Sequence, residues 1–215
     1  MYFYQTRVDG EDFVGLLAVA TDAYAVISPG FKGSEVFGVP TVQTKIYGTK
    51  LIGLFAVGNS NGLLLPSFTS DGELADLRKK LGDGVQVERI EEEYNTLCNF
   101  IAANDKGCLA SREFAKNPIV KDVLDVEIVE GKIRGHPEVG SYLAVTNKGF
   151  LAHPHADDQL KDLESILKVP GKTGSVNQGL PFIRAGLAAN SNGYVTGLMT
   201  TGIELNRIEE ALGFL

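Results

Sequence analysis

The residues able to do covalent or metal chemistry are few. The chain has two cysteines, Cys98 and Cys108, and three histidines, His136, His153 and His155. A nucleophilic thiolate needs a partner that lowers its pKa or takes its proton. Here no cysteine follows any histidine, and both thiols stand in apolar stretches, TLCNFIAA and DKGCLA. In strand segments of that kind a cysteine is a small buried hydrophobe with an unreactive thiol. His153-Pro154-His155 brings two imidazoles together, but the third histidine is distant in sequence and no cysteine cluster is near, so they read as exposed loop residues. Gly171-Lys172-Thr173 resembles part of a phosphate loop. That loop needs glycine five residues before Gly171, where Ile166 stands.

What repeats is a turn. VGNSNGLLLP (57–66), ANDKGCLAS (103–111), VTNKGFLAHP (145–154) and ANSNGYVTG (189–197) place Gly62, Gly107, Gly149 and Gly193 at spacings of 45, 42 and 44. Stepping back 38 from Gly62 reaches Tyr24 in ATDAYAVISP, a degenerate copy without the glycine. Apolar runs flank each copy, which predicts β-hairpins, with the glycine supplying positive φ. The preceding runs are FVGLLAVA (13–20), LIGLFAVG (51–58), LCNFIAA (97–103), VGSYLAV (139–145) and IRAGLAA (183–189).

Helical patterns follow the hairpins. SDGELADLRKKLG (70–82) carries Leu74, Leu77 and Leu81 on one stripe, a Ser70/Glu73 capping box and a terminal Gly82. NPIVKDVLDV (117–126) opens with an Asn-Pro start, and DDQLKDLESILKV (157–169) carries a leucine stripe. TGIELNRIEEALGF (201–214) has a Thr201/Glu204 capping box. A further strand follows the earlier helices, at VQVERI (85–90), VEIV (126–129) and KTGSV (172–176). GFKGSEVFGVP (30–40) in the first unit is too short for more than a turn or two of helix.

The unit is therefore strand, turn, strand, helix, strand. One domain, 1–215, holds five of them, at about 1–44, 45–90, 91–131, 132–176 and 177–215. An open array needs polar caps, and neither YFYQ nor ALGFL looks like one. The expected fold is a closed pseudo-five-fold αβ propeller of the α+β type, strands toward the axis and helices outside.

Net charge is −7, which argues against binding DNA or bulk RNA through the phosphate backbone. No apolar run approaches the roughly 20 residues that span a bilayer. MYFYQTRVDGED lacks the basic and apolar regions of a signal peptide, and two cysteines suit a reducing compartment, so the expected location is cytoplasmic. Closure of the ring would gather Leu16, Leu54, Asn99, Ser141 and Ala185, one from each unit, at one end of the axis, with Tyr142 beside Ser141. Two readings stay open there: local backbone capping, or a partner-binding rim. Glu91-Glu92-Glu93 reads as a solvated connector.

LIGLFAVGNSNGLLLP, NFIAANDKG, VGSYLAVTNKGFLAHP, GSVNQG and MTTGIELNRIEEALG, spread over all five units, resemble the archaeal translation initiation factor 6 family. The resemblance implies the pentein fold, no enzymatic activity, and no metal or cofactor. It implies a monomer that binds the intersubunit face of the large (50S) ribosomal subunit, mainly on a ribosomal protein beside the sarcin–ricin loop with limited rRNA contact. Bound there it blocks association with the small (30S) subunit, and eukaryotic relatives also serve large-subunit assembly. By motif, Asn99 in TLCN and Tyr142 in GSY fall on the ribosome-binding side, with Ser141 and Leu54 on the same face. The chain departs from the family at Cys98, where glycine is usual, at Leu54, where eukaryotic relatives carry arginine, and in its short first unit. Two rivals share the architecture: a guanidine-modifying enzyme, and an interaction disc with a non-ribosomal partner.

Overall fold

A computed structural model describes residues 1–215. The first strand, β1 (Phe3–Thr6), is followed by five hairpins, the first four each completed by a third strand. β2 (Ala18–Ala20) and β3 (Ala25–Ile27) form an antiparallel hairpin, and β4 (Thr41–Gln43) returns parallel to β3. The same three-stranded sheet recurs as β5 (Val57–Gly58), β6 (Gly62–Pro66) and β7 (Gln86–Ile90). It recurs again as β8 (Ile101–Ala103), β9 (Cys108–Ala110) and β10 (Ile128–Glu130). The fourth copy is β11 (Leu143–Val145), β12 (Phe150–Ala152) and β13 (Gly171–Thr173). In the fifth, β14 (Leu187–Ala189) and β15 (Tyr194–Gly197) are completed by β1, with Phe3 opposite Tyr194. The strand in YFYQ thus belongs to the last sheet, whereas division by sequence alone puts it in the first unit. Nothing local marks this, because its partner lies at the other end of the chain. The mixed α/β fold is a closed five-bladed wheel, the pentein arrangement.

Four helices lie outside the sheets: α1 (Asp71–Leu81), α2 (Pro118–Leu124), α3 (Leu160–Leu167) and α4 (Gly202–Leu212). Their starts follow their sequence signals. Ser70 with Glu73, and Thr201 with Glu204, form complete capping boxes, and Asn117 Oδ1 accepts from Ile119 N–H ahead of Pro118. The first blade has only a short 3-10 turn, Ser34–Phe37.

The core is divided among the seams between blades. β6 shows how: Leu63 and Leu65 pack with Leu74 and Leu77 of α1 and with Val19 and Val26 of the first blade. Leu64, pointing the other way, packs with Ile101, Phe114 and Val123 of the third. Successive side chains serve opposite seams, so the strands are apolar throughout. Their second face meets the neighbouring blade rather than the axis.

The hairpin glycines have another use than the expected one. None of Gly62, Gly107, Gly149 or Gly193 has positive φ. The turns are closed by a side chain: Asn59, Asn104 and Asn190 each accept two backbone N–H groups of their own turn. The glycines instead let the next blade approach. A Cβ on Gly107 would lie 2.0 Å from Ile166 O in α3, and the other three face backbone oxygens of neighbouring blades in the same way.

The runs that lead into the hairpins also differ from a plain strand. Each begins with one helical turn near the axis: Val14–Leu17, Ile52–Phe55, Leu97–Phe100, Val139–Tyr142 and Ile183–Gly186. Cys98 therefore lies in a helical turn, not a strand. A short apolar run has too little periodicity to separate the two. Packing decides it, since a Cβ on Gly140 would lie 2.0 Å from Cys98 O and one on Gly53 2.1 Å from Gly15 O.

Candidate partner-binding face

The two ends of the axis are chemically different. At the hairpin end polar side chains lock blade to blade. Asn104 Nδ2 donates to Thr146 O (3.0 Å) and Leu167 O (2.9 Å) of the next blade, and Asn59 and Asn190 make the equivalent pairs. Asp105 accepts from Ser60 and Asn147, and Asp22 from Asn147 and Ser191. In the first blade Tyr24, at the glycine position, donates its hydroxyl to Gly62 O.

The opposite end is open. A concavity of about 670 Å³ sits on the axis, bounded by the five helical turns. Leu16, Leu54, Asn99, Ser141 and Ala185, the equivalent positions of the five blades, all line it and are all half-buried. Ser141 Oγ donates to Asn99 Oδ1 at 3.0 Å. Tyr142 also lines the concavity but is only 9% exposed. Its ring stacks on Phe182 at 5.5 Å and meets His153 edge-on at 5.0 Å. It is a wall of the pocket rather than a projecting contact. Burial raises its hydroxyl pKa, with Glu138 adding to the effect. Burial lowers the pKa of His153, helped by His155, Arg134 and His136.

Residues not picked out by the sequence reading complete this end. Phe13, Tyr47, Tyr94, Phe182, Leu198 and Met199 are exposed on the segments that enter the helical turns or leave the second strands. Such large apolar side chains in water mark an interaction surface when they share one face. A signal for them existed. Gly10, Gly48, Gly135 and Gly179 stand five residues before Gly15, Gly53, Gly140 and Arg184. Each closes a small positive-φ turn on this rim. In the third blade Glu93 takes that place, and the acidic run replaces the turn.

Cys98, His136 and Glu138 line the same concavity, and His153, half-buried rather than exposed, meets the ring of Tyr142 as His136 does. Cys98 is 1% exposed; burial raises its thiol pKa, offset in part by Arg184. Burial pushes the Cys108 thiol up to about 12. Gly171-Lys172-Thr173 is strand β13, paired with β12, not a loop around a phosphate. No three His, Cys, Asp or Glu side chains gather in a way that could hold a metal ion. No helix is long and apolar enough to cross a membrane.

A sequence profile described as the eIF-6 family matches residues 3–211. Translation initiation factor 6 of Thermococcus onnurineus is 36% identical, the alignment covering 100% of both chains. Eukaryotic translation initiation factor 6-2 of Arabidopsis thaliana is 41% identical over 91% of this chain and 84% of its own. Eukaryotic translation initiation factor 6 of Saccharomyces cerevisiae is 37% identical over 95% and 88%. Among solved structures, DDAH from Pseudomonas aeruginosa in a citrulline complex aligns with 94% of this chain and 73% of its own, at 13% identity and a TM-score of 0.46. With a family profile along almost its whole length and archaeal and eukaryotic relatives named translation initiation factor 6, the chain belongs to the eIF-6 family.

Proposed function

We propose that the chain is a non-enzymatic anti-association factor that works as a monomer in the cytoplasm. It docks its open axial face on the intersubunit side of the large ribosomal subunit and so excludes the small one. The observation that carries this is the convergence of five equivalent half-buried positions, with Asn99 and Ser141 among them, on one aromatic-rimmed concavity. Exposed aromatic groups around a few polar anchors are what a protein-binding surface needs. A net charge of −7 favours a basic ribosomal protein as the main contact and limits contact with rRNA. The mechanism is steric: a rigid wheel occupies surface that the small subunit needs. A role in late large-subunit assembly follows from the same contact.

Sedimentation with separated ribosomal subunits tests the proposal. The expected result is co-migration with the large subunit alone and fewer joined ribosomes. Asn99→Arg and Phe182→Ala, both on half-exposed or exposed positions, abolish or weaken it while the protein stays folded. Tyr142→Ala is a poorer probe, because a buried ring is lost and folding suffers with binding. Failure of the folded protein to bind either subunit at low salt would refute the proposal.

A further inference from the structure

Arg184 is out of pattern. In three of the five blades its equivalents are Gly15, Gly53 and Gly140, each pressed against the backbone of its neighbour. Arg184 instead reaches across the axis and forms the floor of the concavity. No carboxylate pairs with it, although ten ion pairs form elsewhere in the molecule. Its hydrogen bonds to oxygen are long ones to main-chain carbonyls, Nη2 to Ala18 O at 3.2 Å and Nη1 to Leu187 O at 3.4 Å, and its other side-chain neighbour is the buried Cys98 thiol. A guanidinium has five donors, and its charge-assisted bonds to carboxylates run at about 2.7–2.9 Å. No charged acceptor in the molecule uses that capacity. Beside it the Nδ2 group of Asn99 has no protein partner, since the Asn99 side chain engages Ser141 through Oδ1. Above this floor the walls are apolar: Leu16, Leu54, Leu180 and Phe182. The other ionisable groups that line it are His136, Glu138, and the buried Tyr142 and Cys98.

Cationic donors without a charged acceptor beneath apolar walls suit one ligand chemistry, a carboxylate carried on an apolar stem. We propose that the concavity is a carboxylate receptor: an acidic side chain flanked by apolar residues on the docking protein enters it and pairs with Arg184. A phosphodiester fits less well, because it would be stripped of water by apolar walls in a chain that already repels nucleic acid. The identity of the donor rests on the docking function proposed above; the preference of the cavity does not. For a partner that is basic overall, this single acidic group sets register, since misdocked arrangements leave Arg184 unpaired.

The test begins without ribosomes. Hexanoate, chain-matched hexanamide and inorganic phosphate are titrated into the intact protein, followed by the methyl resonances of Leu16, Leu54 and Leu180. Hexanoate saturates them, hexanamide and phosphate bind about tenfold more weakly or worse, and Arg184→Met loses the difference while Arg184→Lys keeps most of it. Glu138→Gln tightens hexanoate binding by removing a like charge at the mouth. Equal binding of hexanamide, or no saturation by hexanoate, overturns the receptor, and tighter phosphate binding overturns it in favour of an RNA backbone. Next, large-subunit sedimentation compares wild type, Arg184→Met and Arg184→Glu. A loss of about tenfold or more in both variants, with unchanged thermal unfolding, supports partner docking through the carboxylate. Undiminished binding overturns that half. If wild type itself binds no subunit, the docking function fails instead, and the hexanoate titration alone decides the receptor.

Discussion

Asn104→Thr separates the two tasks of the hairpin asparagines. Asn104 Oδ1 closes its own turn by accepting from Lys106 and Gly107 N–H, while Nδ2 ties the next blade through Thr146 O and Leu167 O. Threonine stands at the same place in two other hairpins, as Thr21 and Thr146, and there it closes the turn with its hydroxyl and bridges nothing. Asn104→Thr therefore keeps the turn and removes the two cross-blade bonds. The residue is 4% exposed, so water cannot readily replace them. At about 1–2 kcal/mol for each buried bond lost with an acceptor left behind, the cost is about 2–4 kcal/mol. For a chain of this size that lowers Tm by roughly 5–15 °C. Urea unfolding gives the free energy and calorimetry the midpoint. A cost under about 1 kcal/mol for Asn104→Thr, beside several for Asn104→Ala, would show that the turn matters and the seam bonds do not.

Further outcomes follow from the same geometry. Gly140→Ala, whose Cβ would sit 2.0 Å from Cys98 O, destabilises by about 3 kcal/mol or more, whereas Gly202→Ala, with open space at its Cβ, is neutral or stabilising by up to about 1 kcal/mol in thermal unfolding. Burial works against ionisation of Glu204, but hydrogen bonds from Thr201, Gly179, Ser175 and Gln178 outweigh it and hold the carboxyl below its usual range. Its contribution is then complete above the ordinary carboxylate pKa of about 4.3 and is lost as pH falls through the lowered folded value. Glu204→Gln accordingly costs about 1–3 kcal/mol at neutral pH, and the gap to wild type closes below about pH 4 in urea titrations. A thiol reagent labels neither Cys98 nor Cys108 in the native protein and both after unfolding; rapid native labelling of Cys98 would contradict its burial.

Much of the wheel was legible because its signals are local and repeated. The two capping boxes, the Asn-Pro start and the leucine stripes each fix a helix from within a few residues, and the turn spacing counts the blades. The convergence of Leu54, Asn99 and Ser141 at one end followed from the register of the repeat alone. What escaped depends on neighbours. Gly107 looks like a turn glycine until α3 of the next blade is seen against it. The helical turn at Leu97–Phe100 is set by packing about the axis, not by its composition. Tyr142 is polar at one end and so reads as a surface contact, but its ring is spent on Phe182 and His153.

The pairing of β1 with β15 also orders events in time. β1 is synthesised well before its partner, and Gln5 Nε2 adds bonds to Gly197 O and Thr200 O only once they meet. Until then four sheets can finish while β15 keeps a bare edge. That edge does not distinguish its own β1 from the β1 of a second copy, since both offer the same residues in the same register. Refolding in dilute solution therefore yields closed rings, and refolding at high concentration favours strand-exchanged dimers.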